Sequence, residues 1–301
     1  MDLSRADIAA FIEVVRSGGV SRAALNIGVT QPSVSKALRR LEESVGVSLL
    51  ERGVHGVRLT SEGQLFLEAA KRFEVQHLEL VRLSSELRAR HSGLLRLGIT
   101  SPSSDSIAVH AISDLVRRRP GVRLQLHIGK SDELNAKVED GELDLAVVPA
   151  YHGQSMSCSQ IALSQEEMRL VVRAGHPLAQ LPSVGLHDLT PFAWVMPSQQ
   201  SAALHALQRV LQQNGAPAPH VALEPDYVSE AVMGIITRTD LLSMIPSSVL
   251  RGWLGRVMPL SVPELQIQRT QVLLSRPQAS WSALMIDLRD LLLSYRPPQR
   301  E

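Results

Sequence analysis

The chain has 301 residues, one cysteine, 44% hydrophobic and 20% charged side chains, and a formal net charge of +1 from 31 basic and 30 acidic residues. A chain of that length holds two or more domains, and the composition is that of a globular protein, not a disordered one. No run approaches the roughly 18 uninterrupted apolar residues that a membrane helix needs. Asp2, Arg5 and Asp7 break the layout of a secretion signal, so a cytoplasmic protein without membrane contact is expected. Cys158 has no second cysteine to pair with, and the ten histidines contain no His-x-x-x-His pair. Neither a disulfide scaffold nor a metal centre nor a bound cofactor is expected.

Residues 1–60 read as three short helices and a small hairpin. Ile8, Phe11, Ile12 and Val15 carry the i, i+3, i+4, i+7 spacing of an amphipathic helix, which Gly18-Gly19 stops. Ser21 is the expected cap of a second helix through Ala23, Ala24 and Leu25, ending at Gly28. Thr30 caps a third, with Pro32 in its first turn and Val34, Leu38 and Leu41 as its apolar face. The short connection between the second and third helices forces a helix-turn-helix corner. Val47–Glu51, a polar tip at Gly53-Val54-His55-Gly56, and Val57–Leu59 read as a two-stranded wing.

Thr60 opens a long helix, with 61–91 expected as a linker. Phe66, Ala69, Phe73, Gln76, Leu80, Leu83 and Leu87 share one heptad seam, which Gln76 alone interrupts. A helix packed on its own domain shows the same stripe. Its place directly after a DNA-binding candidate points to pairing between chains, with Phe66, Phe73, Leu80, Leu83 and Leu87 as the contacts, because dimers read two half-sites.

From Gly93 the pattern changes to alternating strands and helices, the grammar of an α/β domain. Strands are expected at Leu94–Thr100, Val122–Ile128, Leu143–Val148, Met168–Arg173, Ala193–Met196, His220–Glu224, Leu241–Ile245 and Gln271–Ser275. Helices are expected up to Arg119, over Asp132–Asp140 and over Trp281–Tyr295. No Ser/His/Asp order, nucleophile elbow or phosphate-binding loop appears, so no enzyme is expected.

The third helix starts Thr30-Gln31-Pro32-Ser33-Val34-Ser35-Lys36, with polar side chains opposite the apolar face. That end of a helix-turn-helix enters the major groove, where Gln suits an adenine edge, Lys a guanine edge and Ser either bases or phosphate. Arg39 and Arg40, one turn on, suit phosphates. From Ser21 to Arg58 there are six basic residues, Arg22, Lys36, Arg39, Arg40, Arg52 and Arg58, against Glu42, Glu43 and Glu51. The excess lies where a duplex would, hidden within the near-neutral total.

This region resembles the LysR-type transcriptional regulators. The resemblance is carried by Ser21-Arg22-Ala23-Ala24, Val29-Thr30-Gln31-Pro32-Ser33-Val34-Ser35, Leu49-Leu50-Glu51-Arg52 and Gly56-Val57-Arg58-Leu59-Thr60. It continues through Gly93-Leu94-Leu95-Arg96-Leu97-Gly98, Gly141-Glu142-Leu143-Asp144-Leu145-Ala146 and His176-Pro177-Leu178-Ala179. It implies a winged helix-turn-helix over 1–60, the linker helix over 61–91, and a two-lobed, periplasmic-binding-protein-like effector domain over 92–301. Lobe I covers about 92–162 and 267–301, and lobe II about 163–266. The resemblance places base contacts at Gln31, Pro32, Ser35 and Lys36, with Arg52 and the wing near phosphates. Two positions depart from the family pattern: Gly19 replaces a usual serine, and His55 a usual wing arginine.

Ligands of α/β sheets meet loops at the carboxyl ends of strands. Thr100, Ser101, Ser103 and Ser104 follow the first strand, and Lys130 and Ser131 follow the second, where the family places effector contacts. Ser198 and Gln199 come from the other lobe. Hydroxyls and a lysine suit a carboxylate-bearing metabolite; each serine is also an ordinary N-cap or turn residue. The expected function is DNA-binding transcriptional regulation by a homodimer or homotetramer on an imperfect palindromic operator. A small-molecule effector would alter DNA bending and polymerase access. Rival readings are a cytoplasmic solute-binding protein and an α/β enzyme.

Overall fold

The computed structural model describes residues 3–53, 56–89, 93–100, 106–198 and 201–295; of residues 52, 53, 56, 79, 82, 83 and 85–89 it describes the backbone. The chain divides into two units, Met1–Ser85 and Glu86–Glu301. Among the described residues no helix is long and apolar enough to cross a membrane.

In the first unit α1 (Arg5–Ser17), α2 (Val20–Ile27) and α3 (Gln31–Val45) end at Gly18, Gly28 and Gly46. These glycines take φ of 72°, 75° and 82°, the left-handed conformation that ends a helix and that a Cβ disfavours. Ala23 and Ala24 of α2 pack with Val34 and Ala37 of α3, all four buried. Small side chains let the two helices approach closely. The expected Ser21 cap is corrected: α2 begins at Val20, with Gly19 at the cap position and no side-chain cap bond. Half-buried Val20 joins the alanine cluster, and the helix starts two residues earlier than a Ser21 cap would give.

The wing is β1 (Leu50–Gly53) and β2 (Gly56–Leu59), antiparallel with Leu50 opposite Leu59 and Glu51 opposite Arg58. It starts later than Val47, because Glu42 Oε1 accepts the N–H groups of Leu49 and Leu50 at 2.8 and 3.1 Å. Thr60 then caps α4 (Ser61–Ala89), accepting Gly63 N–H at 2.9 Å. Leu67 and Ala70 of α4 are buried with Ile8, Phe11 and Leu41.

The second unit is built on one mixed sheet. Its first half holds β3 (Leu94–Ile99), α5 (Ile107–Arg118), β4 (Arg123–Ile128), α6 (Ser131–Glu139) and β5 (Leu145–Ala150), and β3 pairs in parallel with both β4 and β5. The chain leaves along β6 (Ser159–Arg173). It returns, after β7 (Trp194–Val195), α7 (Ala202–Gln213), β8 (Val221–Leu223), α8 (Glu230–Ile236), β9 (Leu242–Pro246), α9 (Ser247–Leu250) and β10 (Val257–Leu260), along β11 (Ile267–Ser275). Helix α10 (Ala283–Ser294) packs back on the first half through Met285 and Leu288.

Two lobes result, each with its own buried clusters. Strand order is β4-β3-β5-β11-β6-β9-β7-β8, with β10 also on β6. The first part of β6 pairs with β11, and its last part with β9 and β10. Two strands thus join the lobes. Their register shifts between Gln271 and Val272, which lie opposite Ser164 and Ala162, so Leu163 is an extra residue at the crossing.

Strand β6 begins nine residues before the expected Met168 and β11 four before Gln271, because the polar stretch Ser164-Gln165-Glu166-Glu167 hides a paired strand. Strand β10 was not expected.

Gly63 shows how tightly α4 seats: a Cβ there would lie 2.0 Å from the carbonyl oxygen of Leu49. Gly63→Ala is expected to destabilise the first unit by about 1–3 kcal/mol through overpacking. Hydrogen exchange of the full chain checks this, with loss of protection over 41–70 and none over β3–β5.

Candidate DNA interface and effector cavity

Helix α3 divides its residues by face. Val34, Ala37 and Leu41 are buried, whereas Gln31, Pro32, Ser33, Ser35, Lys36 and Arg39 are exposed. Thr30, also exposed, accepts the Ser33 N–H at 3.4 Å, and its hydroxyl lies 2.8 Å from that of Ser33. The polar end is thus a regular first turn with Gln31, Ser35 and Lys36 facing outward. Arg58 is exposed on β2. Arg52 pairs with Val57 through its backbone, and its side chain, like all of His55, lies outside the described residues.

Arg40 departs from the expected phosphate role. Its guanidinium binds Asp7 of α1 in bidentate fashion, Nε to Oδ2 at 3.1 Å. Asp7 is buried, and the hydrogen bonds to it raise the Arg40 pKa. An acid on the inward face of α1 demands a basic partner, and Arg40 is the one in reach. In the sequence Asp7 was read only as a charge that breaks a secretion signal; its place among Ile8, Phe11 and Val14 was the available signal of its burial.

The seam of α4 is corrected at its start. Phe66 packs edge-on against Phe11, ring centroids 5.5 Å apart, and so completes the core of its own domain. Farther along, Phe73 is 42% and Leu80 65% exposed, joined by Leu78 and Val81. The side chains of Leu83 and Leu87 lie outside the described residues.

In the second unit a cavity of about 280 Å³ opens between the lobes. Thr100, Lys130 and Ser131 line it from lobe I and Ser198 from lobe II, so four of the expected effector residues meet there. Ser101, Ser103, Ser104 and Gln199 lie outside the described residues. Tyr151, Asp226 and Arg269 also line it and were not expected.

A larger cavity of about 680 Å³ lies beside it, with Thr100 and Arg269 in the walls of both. Between the cavities Arg269 donates to Glu166 Oε2 from Nε at 3.0 Å and from Nη2 at 2.7 Å. Gln271 Nε2 and the Ser248 N–H also donate to that carboxylate. Burial pushes Glu166 up, but the Arg269 charge and these hydrogen bonds outweigh it and hold the carboxyl below its usual range.

Comparison with known proteins decides the family. Residues 6–64 match the bacterial regulatory helix-turn-helix protein, lysR family, and residues 88–296 match the LysR substrate binding domain. The chain belongs to the LysR family of bacterial regulators. It is 33% identical over 243 residues to the transcriptional regulator PcaQ of Agrobacterium fabrum, covering 80% of this chain and 77% of that one. It is 29% identical over 216 residues to GbpR of Azospirillum brasilense, covering 71% and 63%.

Among solved structures, full-length OxyR from Pseudomonas aeruginosa shares the fold with a TM-score of 0.63 at 19% identity, covering 99% of this chain and 100% of that one. Full-length CbnR in complex with its target DNA gives 0.60 at 17%, covering 96% and 98%. This LysR-type protein is a DNA-binding transcriptional regulator with an effector-binding domain.

Two expectations follow for this regulator. Arg40→Ala strands the buried Asp7 carboxylate and lowers the melting temperature and duplex affinity together, whereas Arg39→Ala lowers duplex affinity and leaves melting unchanged. Calorimetry and fluorescence anisotropy on both variants check this. Because the Glu166 pKa is depressed in the fold, its contribution to stability is present at neutral pH. It is lost as pH falls from the ordinary carboxyl range through the lower folded value. Glu166→Gln should therefore melt lower than the parent at neutral pH, with the gap shrinking on acidification.

Proposed function

We propose that the regulator reads its operator with the amino-terminal end of α3. Gln31 and Lys36 address base edges, Ser35 addresses a base or phosphate, and Thr30, Pro32 and Ser33 shape the turn that presents them. Arg39, Arg52, His55 and Arg58 contact phosphates on either side. The observation that carries this reading is the outward row Gln31, Ser35 and Lys36 on a helix whose opposite face, Val34, Ala37 and Leu41, is buried. It acts in the cytoplasm, where its DNA is.

The winged unit takes residues 1–60, the linker helix 61–91 and the effector domain 92–301, with lobe I over about 92–162 and 267–301 and lobe II over about 163–266. The exposed apolar side chains Phe73 and Leu80 support pairing of linker helices, which sets two recognition helices on the half-sites of an imperfect palindrome. Leu83 and Leu87 extend the same seam.

The effector is a small carboxylate held in the 280 Å³ cavity. Thr100, Ser131 and Ser198 supply hydroxyls, Lys130 supplies the charge, and Met168, Val228 and Met244 supply an apolar wall. A few converging polar groups on an otherwise apolar lining is the usual make-up of a small-molecule site. Ser101, Ser103, Ser104 and Gln199, which follow the same strands in sequence, are further polar contacts on this reading. The effector acts by favouring one lobe arrangement, and with it one DNA bend.

The test is duplex binding measured against salt. The parent should lose affinity steeply as salt rises, because phosphate contacts release counterions. Gln31→Ala or Lys36→Ala should relax discrimination at one base position by roughly 1–3 kcal/mol, read as anisotropy on single-base operator variants. Unaltered discrimination in both would refute the docking.

A further inference from the structure

Lys130 was expected to hold an anion, and it already holds one. Its Nζ lies 2.7 Å from Oδ1 of Asp226, and both side chains line the cavity between the lobes. Lys130 lies between β4 and α6 in lobe I, and Asp226 lies between β8 and α8 in lobe II. The pair therefore ties the lobes together at the ligand cavity. The hydrogen bond and charge of Asp226 raise the Lys130 pKa, with smaller contributions from Asp132 and Glu133.

Exposure separates this pair from the other charged pair in the cavity walls. Glu166 and Arg269 have side chains only 10% and 9% exposed, and they are held by further donors. Lys130 and Asp226 are 41% and 74% exposed. A solvated pair gains little net energy from its contact, so another carboxylate can take the place of Asp226 with little desolvation.

We propose that Asp226 is a specificity-determining residue that occupies the anion subsite at Lys130, so that an effector carboxylate enters by replacing it and frees the loop between β8 and α8 from lobe I. The inference rests on the effector reading above. It has a consequence for ligand class. A monocarboxylate exchanges one negative charge for another at Lys130. A second carboxylate held at the same end would lie beside the displaced Asp226 and the neighbouring Asp132, where like charges repel. The Lys130 subsite therefore takes one carboxylate.

The test uses the full-length protein and a matched pair of probes, cyclohexanecarboxylate and cyclohexanecarboxamide, in titration calorimetry. Asp226→Asn keeps the shape and removes the competing charge. It should tighten carboxylate binding about three- to fivefold and leave carboxamide binding unaltered. Lys130→Gln in the Asp226→Asn background should abolish that gain.

Carboxylate affinity that is the same or weaker in Asp226→Asn, or no detectable carboxylate binding by that variant, would overturn the proposal. Ser198→Trp, which fills the cavity, tells the two readings apart. Binding abolished by Ser198→Trp but indifferent to Asp226→Asn defeats the Asp226 role alone. Binding indifferent to both defeats the cavity assignment as well.

Discussion

The effector domain hangs on two strands, and those strands are held in register by one buried ion pair. Glu166 of β6 lies directly opposite Arg269 of β11. Burying two charges costs more than their attraction returns unless the remaining hydrogen-bonding capacity is satisfied. Here the Ser248 N–H and Gln271 supply the missing donors, so the carboxylate is served from β6's partner strand and from α9 at once. A slip of one residue would turn Arg269 to the other face of the sheet and leave both charges unpaired. Register at the crossing is thereby fixed, and the extra residue Leu163 lies only a few positions away. The firm joint and the local irregularity that lets strands bend are neighbours.

The DNA-binding unit shows the same division of labour along a single helix. The later part of α3 is fully occupied: Arg40 holds α1 through Asp7, Leu41 enters the core, and Glu42 accepts two N–H groups at the entry to the wing. The earlier part is anchored by Val34 and Ala37, which pack with Ala10 and Val14 of α1 and the alanines of α2. That leaves Gln31, Ser35 and Lys36 exposed on the opposite face. Basic residues of one helix thus differ by position: Arg39 is exposed, and Arg40, its neighbour, is bound to the buried Asp7.

Much of this was legible in the sequence because its signals are local. Apolar spacing and the glycines at 18, 28 and 46 located the three helices, and Pro32 with Thr30 located the start of the third. Strand-end loops located Thr100, Lys130 and Ser198, which the fold brings to one cavity. What escaped depends on partners distant in sequence. Phe66 fits a heptad seam equally well whether it faces another chain or Phe11, and its distance from Phe11 decides. Glu166 and Arg269 carried no local signal, and the polar stretch before Met168 is a strand because it pairs with a strand distant in sequence. Asp226 and Tyr151 lie in loops without periodicity, so nothing local marked them as cavity walls.

The cavity between the lobes is floored by the crossing strands and walled by both lobes, and on the proposed mechanism, in which the lobes move, that asymmetry bears on control. Arg269 belongs to the crossing strands and is bound to Glu166 on the neighbouring strand, so it is part of neither wall. Thr100 and Lys130 belong to one lobe, Ser198 and Asp226 to the other. A ligand shifts an equilibrium between lobe arrangements only by the difference in its affinity for them. Contacts with the floor alone are equal in every arrangement and shift nothing, however tight they are. Contacts that need both walls exist in one arrangement only. On the proposed effector reading, the regulatory part of binding resides in groups that reach Lys130 and Ser198 together, and the affinity contributed by the floor serves only to hold the ligand there.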